Sequence, residues 1–440
     1  MRVAITTLGC KVNQFESASF KSSFEEAGCT LVPFSSEADI YIINTCAVTA
    51  KAGQQSRQLI RRAMQNNPNA RVLVTGCYVQ VDPAKIIDIL GSPACLVGND
   101  YKHLLVDTAL QQDAPDLVEL MGKISWAKQI CDLPVKNFAG RTRSYLRIQD
   151  GCDNFCSYCI VPYTRGPSRS LPLEKILNQT DIFYEQGYKE MVITGINVGK
   201  YGLDLQEGET IYTLLQRLCD TFPTLRIRLS SIEPTEVNDM LLELVCRYDN
   251  FMPHLHIPLQ SGDDTVLERM NRRYTTAFFR KVIEKVHDAL PHAAIGCDIL
   301  GGFPGETDEQ AENTYQLIAD LPISYLHVFP YSMRRGTLAA ALPGHIAGPV
   351  KSARVNRLRQ LDTQLRSAFY NRLLGSHCNV LVERRNKKSG LLQGFSENYI
   401  PLQFAGPTNL IHSIVPVHFN AIEKSEPMGS LLHDMLEEKR

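Results

Sequence analysis

The stretch Gly151-Cys152-Asp153-Asn154-Phe155-Cys156-Ser157-Tyr158-Cys159 sets three cysteines in C-x-x-x-C-x-x-C spacing, directly after the apolar run Tyr145–Gln149. Three thiolates so spaced can wrap one iron–sulfur cluster and leave its fourth iron without a protein ligand, open for chemistry. Structural zinc takes four N/S ligands, usually as two C-x-x-C or C/H pairs, so three crowded cysteines suit it less well. The plainer readings are a zinc loop or three buried thiols.

At 440 residues the chain has room for about two to four domains. Its 46 basic and 47 acidic residues nearly cancel, so any affinity for nucleic acid must come from local clustering. The start, Met1–Thr6, begins as a strand and lacks the charged and apolar regions of a signal peptide. No apolar run approaches the length needed to span a bilayer, which makes a soluble cytoplasmic protein the expectation. In such a compartment its 13 cysteines are metal ligands or core thiols rather than disulfides.

Upstream, residues 1 to about 125 alternate short apolar runs with amphipathic ones, which predicts a parallel α/β sheet. Three segments repeat one arrangement: Val3–Thr6 leads to Cys10, Ile40–Ile43 to Cys46, and Val72–Thr75 to Cys77. Ligands of open parallel sheets bind beyond the carboxyl ends of the strands, so these thiols should converge at one edge. Helices expected at about 15–28, 49–66 and 82–90 would point their positive ends at the same place. A single strand-end cysteine is ordinarily a small apolar filler. Three at equivalent positions can hold a second cluster. Cys29, Cys95, Cys131, Cys219, Cys246, Cys297 and Cys378 share no spacing and read as structural.

Downstream, 125–143 reads as a linker, followed by strand-like runs at 144–149, 190–194, 226–231, 255–259, 294–300 and 325–329. Helical stretches separate them: 172–186, 236–247, a long one from Asp263 to Ala289, and 307–320. Six βα units predict a partial barrel with working loops at the strand C-termini. Those loops carry Thr194, Gly195 and Asn197; Ser231 and Glu233; Gln260; and Gly302, with Tyr331–Thr337 after the last strand. Each is also compatible with an ordinary turn or helix start. Val355, Leu358, Leu361, Leu365, Phe369 and Leu373 then mark one amphipathic helix over 352–374. Across Lys351–Lys388 ten Lys or Arg face only Asp362 and Glu383, a run that is either a solvated face or a phosphate-binding one. Short strand-like segments at 377–384, 390–395, 398–403 and 414–422 suggest a small antiparallel barrel of the kind that often binds RNA.

The spacing of Cys152, Cys156 and Cys159, with the aromatic Tyr158, resembles the radical S-adenosylmethionine enzymes. The Thr7–Glu16 segment and Asn44-Thr45-Cys46 resemble the N-terminal domain of their methylthiotransferase branch, and the tail resembles a TRAM domain. The resemblance implies an α/β protein in three parts: an N-terminal methylthiotransferase domain over 1–125, a (βα)6 radical core over 138–375, and a TRAM-like RNA-binding unit over 376–440. It implies two 4Fe-4S clusters, the radical-generating one on Cys152, Cys156 and Cys159 and an auxiliary one on Cys10, Cys46 and Cys77. S-adenosyl-L-methionine would be used twice per turnover, as methyl donor and as source of the radical that abstracts hydrogen. Its implied contacts are Tyr158, Thr194, Gly195, Asn197, Ser231, Glu233, Gln260 and Gly302, and the implied RNA contacts are Arg384, Arg385, Lys387 and Lys388. Implied partners are tRNA and a reducing electron donor such as flavodoxin or ferredoxin, with no membrane. The sulfur donor stays open.

The Leu8-Gly9-Cys10-Lys11-Val12-Asn13-Gln14 run resembles the branch that acts on N6-threonylcarbamoyladenosine beside the tRNA anticodon. The branch acting on N6-isopentenyladenosine usually has Gln-Met-Asn after that cysteine, and the branch acting on a ribosomal-protein aspartate has Pro-Lys-Asn. Both remain alternatives on sequence. A rival of another kind is a non-catalytic RNA-binding protein whose six cysteines hold structural metal.

Overall fold

Ile40–Thr45 is apolar almost throughout and buried at every position, as a central strand covered on both faces must be. In the computed structural model, which describes residues 1–432 apart from 92–93, 112–116, 139 and 206–207, it is β3 of a six-stranded parallel sheet. The other strands are β1 (Arg2–Thr7), β2 (Thr30–Val32), β4 (Arg71–Gly76), β5 (Ala94–Val97) and β6 (Leu117–Leu120), in the order β2-β1-β3-β4-β5-β6. The chain runs from β1 outward to β2 and returns to β3 on the other side, so the topological switch lies between β1 and β3. Such a switch opens a crevice at the strand C-termini.

The helix Lys11–Glu26 that follows β1 buries Asn13, Glu16, Ser17, Ser19 and Ser22 as well as its apolar residues. A surface helix would leave those polar groups in water. Here the second face packs on β7 (Arg143–Arg147), the first strand of the central unit.

In that unit β7, β10 (Glu190–Thr194) and β11 (Arg226–Leu229) form one parallel sheet, and β12 (His254–His256), β13 (Ala294–Gly301) and β14 (Tyr325–Pro330) another. Parallel bridges Ile227–Phe251 and Ser231–His256 join them into the expected six-strand partial barrel. The two-residue strands β8 (Gln149–Asp150) and β9 (Arg169–Ser170) pair beside the cysteine loop. The long helix expected from Asp263 to Ala289 is two helices, Asp264–Arg269 and Thr276–Ala289. Asn271 breaks it by adopting a left-handed φ of 57°, and Thr275 caps the second helix by accepting from Phe278 N.

The helix Gly348–Leu373 packs on β14 and leads into a closed barrel of β15 (His377–Arg385), β16 (Leu392–Phe395), β17 (Pro401–Phe404), β18 (Ile414–Glu423) and β19 (Glu426–Leu431). Closure leaves no exposed sheet edge. One pairing, β17 with β19, is parallel rather than antiparallel. Residues 433–440 of the expected C-terminal unit lie outside the described residues. This barrel docks on the core through Arg143–Glu383, Arg226 to the Asn379 carbonyl and Arg228 to the Ser396 and Glu397 carbonyls. Among the described residues no helix is long and apolar enough to cross a membrane.

Candidate active site

The loop from Gly151 to Cys159 is clamped from below rather than left to its own conformation. Gly151 sits at φ +77°, and a Cβ there would run into the Pro167 carbonyl, so only glycine fits. Asn271 Nδ2 donates to the Phe155 carbonyl at 2.9 Å and the Asn154 carbonyl at 3.3 Å. Ser157 bonds the Met270 and Arg269 carbonyls through its N–H and Oγ. The break in the expected helix is therefore the part that holds the cysteine loop. Arg272 Nη1 donates to Cys156 Sγ at 3.4 Å and pairs with Glu233. Burial pushes the Cys152 thiol up to about 11 and Cys159 up to about 12. Left as free thiols they stay protonated at neutral pH and are poor nucleophiles; a bound metal would displace those protons.

Cys10, Cys46 and Cys77 stand at the C-terminal ends of β1, β3 and β4, on both sides of the switch point. They are close enough to influence one another's charge. Gly9, at φ +102°, lets the end of β1 approach: a Cβ there would lie 2.8 Å from Cys46 Cβ. Burial raises the Cys10 thiol, an effect that Arg165 opposes, and burial with Cys77 pushes Cys46 up to about 11. Arg165 belongs to a buried ionic cluster between the two units, bonding Glu16 and Asp150 at 3.0 Å and Asn13 Oδ1 at 2.6 Å. Lys102 bonds Glu16 at 2.5 Å and Arg147 lies at 3.7 Å. Its net positive charge next to three thiols favours an anionic occupant.

A cavity of about 500 Å³ brings together Cys10, Lys11 and Val12 with Thr194, Gly195 and Ser231 from the strand-end loops of the core. His254, His256, Asp298, Tyr325 and His327 line its floor, and Tyr399 reaches in from the C-terminal barrel with φ +68°. A second cavity of about 370 Å³ is lined by Cys156, Glu233, Glu236, Lys200 and Arg272. The loops after β10 and β11 contribute to both. Of the other expected contacts, Asn197 is buried with its N–H on Gln149 Oε1 at 2.8 Å and its Nδ2 unpartnered. Tyr158 packs behind the loop against the small cluster of Val266, Met270, Phe303, Tyr331 and Ala339. Gln260 and Gly302 line neither cavity. Arg384 bonds Gln393, Arg385 bonds the Gly390 and Gly406 carbonyls, and Lys387 and Lys388 lie exposed in the turn beyond β15.

Among the described residues, His256, Asp298 and His327 are the one group that brings three His, Cys, Asp or Glu ligand atoms within 4.8 Å of one another. Neither cysteine triad is that tight, whereas zinc at about 2.3 Å from each sulfur needs its sulfurs within about 4 Å. A single zinc ion therefore does not fit either set as it stands.

Residues 146–318 match the Radical SAM superfamily, and residues 2–98 match a family described as Uncharacterized protein family UPF0004. The chain is 39% identical over 420 residues to Threonylcarbamoyladenosine tRNA methylthiotransferase MtaB of Bacillus subtilis (strain 168), covering 94% of this chain and 93% of that one. The chain belongs to the radical SAM methylthiotransferase family. Another such enzyme, from Aquifex aeolicus (strain VF5), is 37% identical across 92% of this chain and 97% of its own. A tRNA-2-methylthio-N(6)-dimethylallyladenosine synthase of Bartonella henselae is 30% identical across 98% of this chain and 96% of its own. Among solved structures, the radical S-adenosylmethionine methyltransferase TsrM of Kitasatospora setae aligns over 77% of each chain with a TM-score of 0.56 at 12% identity, a likeness of fold. The family implies a 4Fe-4S cluster and S-adenosylmethionine in this methylthiotransferase.

Sequence reasoning assigned no role to Arg165, Gln149 or Arg272. Gln149 Oε1 accepts from the Ile196 and Asn197 N–H groups while its Nε2 donates to the Gly151 carbonyl, tying the loop after β10 to the cysteine loop. No local motif marks any of the three.

Proposed function

We propose that the enzyme converts N6-threonylcarbamoyladenosine beside the anticodon of tRNA to its 2-methylthio derivative, with a radical-generating cluster on Cys152, Cys156 and Cys159 and an auxiliary cluster on Cys10, Cys46 and Cys77. The observation that carries this reading is the cavity in which Cys10 meets Thr194, Gly195 and Ser231, one N-terminal cysteine beside the strand-end loops of the core. The five threonylcarbamoyladenosine-named relatives, at 33–39% identity over nearly the whole chain, support the substrate. Two molecules of S-adenosylmethionine serve each turnover, and electrons come from a reducing partner of flavodoxin or ferredoxin class.

Bound there, the clusters and S-adenosylmethionine supply one-electron hydrogen abstraction from an unactivated carbon and a sulfur that accepts a methyl group. The chain supplies the positioning. Gln149 and Asn271 fix the cysteine loop; Glu233, held by Arg272, presents an acceptor beside Cys156 for an ammonium group. Thr194 and Ser231 offer hydroxyls, and Gly195 lets a ligand approach the backbone. Tyr399, from the barrel that would carry Arg384, Arg385, Lys387 and Lys388 against RNA phosphates, offers a face on which a splayed base can stack. Neutralising those four cations is expected to flatten the salt dependence of tRNA binding, at roughly 0.7–0.9 log units per lost phosphate contact.

The test is mass spectrometry of tRNA nucleosides from cells with and without the protein, which work in the compartment that holds tRNA, the cytoplasm. Loss of the methylthio-threonylcarbamoyl nucleoside, with its precursor accumulating, supports the reading. Loss of only the isopentenyl product would overturn the substrate, and no change in any nucleoside would overturn tRNA as the target.

A further inference from the structure

The charged groups lining the 500 Å³ cavity divide into those already held and one that is not. Arg143 is held between Glu190 and Glu383. Arg228 Nε bonds Glu190 at 2.7 Å, and its other nitrogens reach the Ser396 and Glu397 carbonyls. Asp298 Oδ1 is taken by His256 Nε2 at 2.9 Å and faces His327 Nδ1 at 3.4 Å. Lys11 lines the same cavity as an exposed residue, and among the described residues no carboxylate lies within 4 Å of its ammonium and no acceptor bonds it. A cation that lines a cavity without a protein partner is available to an anionic group of a ligand.

A threonylcarbamoyl group has that chemistry: its amino acid is attached through nitrogen, which leaves the carboxylate and the hydroxyl free. We propose that Lys11 binds the carboxylate of the threonylcarbamoyl arm, making it the specificity determinant for an acid-bearing N6 group over an apolar one. The inference rests on the substrate reading above. It adds the residue that performs the selection. The ammonium meets the carboxylate as a charge-assisted hydrogen bond. An N6 group without an acid leaves that ammonium unpaired, and the mismatch discriminates.

The experiment compares the reconstituted enzyme and its Lys11→Gln and Lys11→Arg variants on anticodon stem-loops carrying threonylcarbamoyladenosine or its carboxyl methyl ester. Iron content and S-adenosylmethionine cleavage are followed alongside. The unaltered enzyme is expected to favour the acid in kcat/KM by about 100-fold, the scale of a hydrogen bond to a charged group. Lys11→Gln should lose most of that preference through the acid substrate alone, and Lys11→Arg should keep it. Equal turnover of acid and ester by the unaltered enzyme would overturn the proposal whether or not a variant folds. So would a Lys11→Gln defect equal on both substrates, or one confined to the KM for S-adenosylmethionine, which would assign Lys11 to the cofactor. No methylthio product from the acid substrate would instead overturn the substrate reading, and this proposal with it.

Discussion

Cys152, Cys156 and Cys159 share one loop, whereas Cys10, Cys46 and Cys77 arrive from the ends of three strands more than thirty residues apart in sequence. The first set is shaped by the covalent chain and a few anchors, chiefly the Arg269–Asn271 turn and Gln149. The second exists only once the sheet has ordered its strands as β2-β1-β3-β4-β5-β6 and the buried Glu16–Arg165–Asp150 cluster has locked the N-terminal unit to the core. A local site therefore tolerates disturbance of domain packing, and a distributed one does not.

The largest expected effects separate the two sets. Cys156→Ala should abolish S-adenosylmethionine cleavage while tRNA binding persists; Cys46→Ala should leave cleavage intact and stop methylthiolation. In each, iron should fall from about eight to about four per chain. Methylthio product from the Cys46 variant would remove the second set from the chemistry.

Next comes Glu16→Gln, which leaves Lys102 buried without a carboxylate and Arg165 with Asp150 alone, and is expected to cost about 3–5 kcal/mol in denaturant unfolding. The distributed site should lose iron before the loop site does. Equal loss from both would break the contrast. The same carboxylate gives a pH dependence: burial would raise Glu16, but Arg165, Lys102 and Arg147 together outweigh it and hold it well below its ordinary 4.5. A depressed carboxylate stabilises the fold above its unfolded value and loses that contribution as pH falls. Stability should be flat from neutral pH to about 5 and decline below 4.5, with a shallower decline in Glu16→Gln.

The smallest effect is on the clamp. Asn271→Gly keeps the left-handed turn but removes two hydrogen bonds to the loop, at about 1 kcal/mol. It should weaken iron retention in the loop set alone; parallel loss at Cys10, Cys46 and Cys77 would show that the two sites are not mechanically separate.

The basic run Lys351–Lys388 shows where sequence reading of charge fails. Arg354 pairs with Glu306 and Asp308, Arg357 with Glu312, and Lys351 bonds the Tyr331 carbonyl. Those acids lie some forty residues upstream, so the run looks uncompensated along the chain and is compensated in space. The split of the Asp263–Ala289 helix was hidden for a related reason: Asn271 tolerates a helix as well as a turn, and only its contact with the cysteine loop selects the turn. The strand Glu426–Leu431 was also missed, because Gly429 and the residues around it carry little alternation.

The sequence alone determined what spacing and periodicity can determine: a C-x-x-x-C-x-x-C loop after a strand, three further cysteines at strand ends, six βα units and a small barrel after a long helix. These are local properties, set by a few neighbouring residues. Tertiary structure decided which groups are left without partners, because pairing depends on residues far away in the chain. Lys11 stands next to Cys10 in a motif, yet only the folded cavity, with Arg143, Arg228 and Asp298 already taken, shows it to be a cation without a protein partner among the described residues.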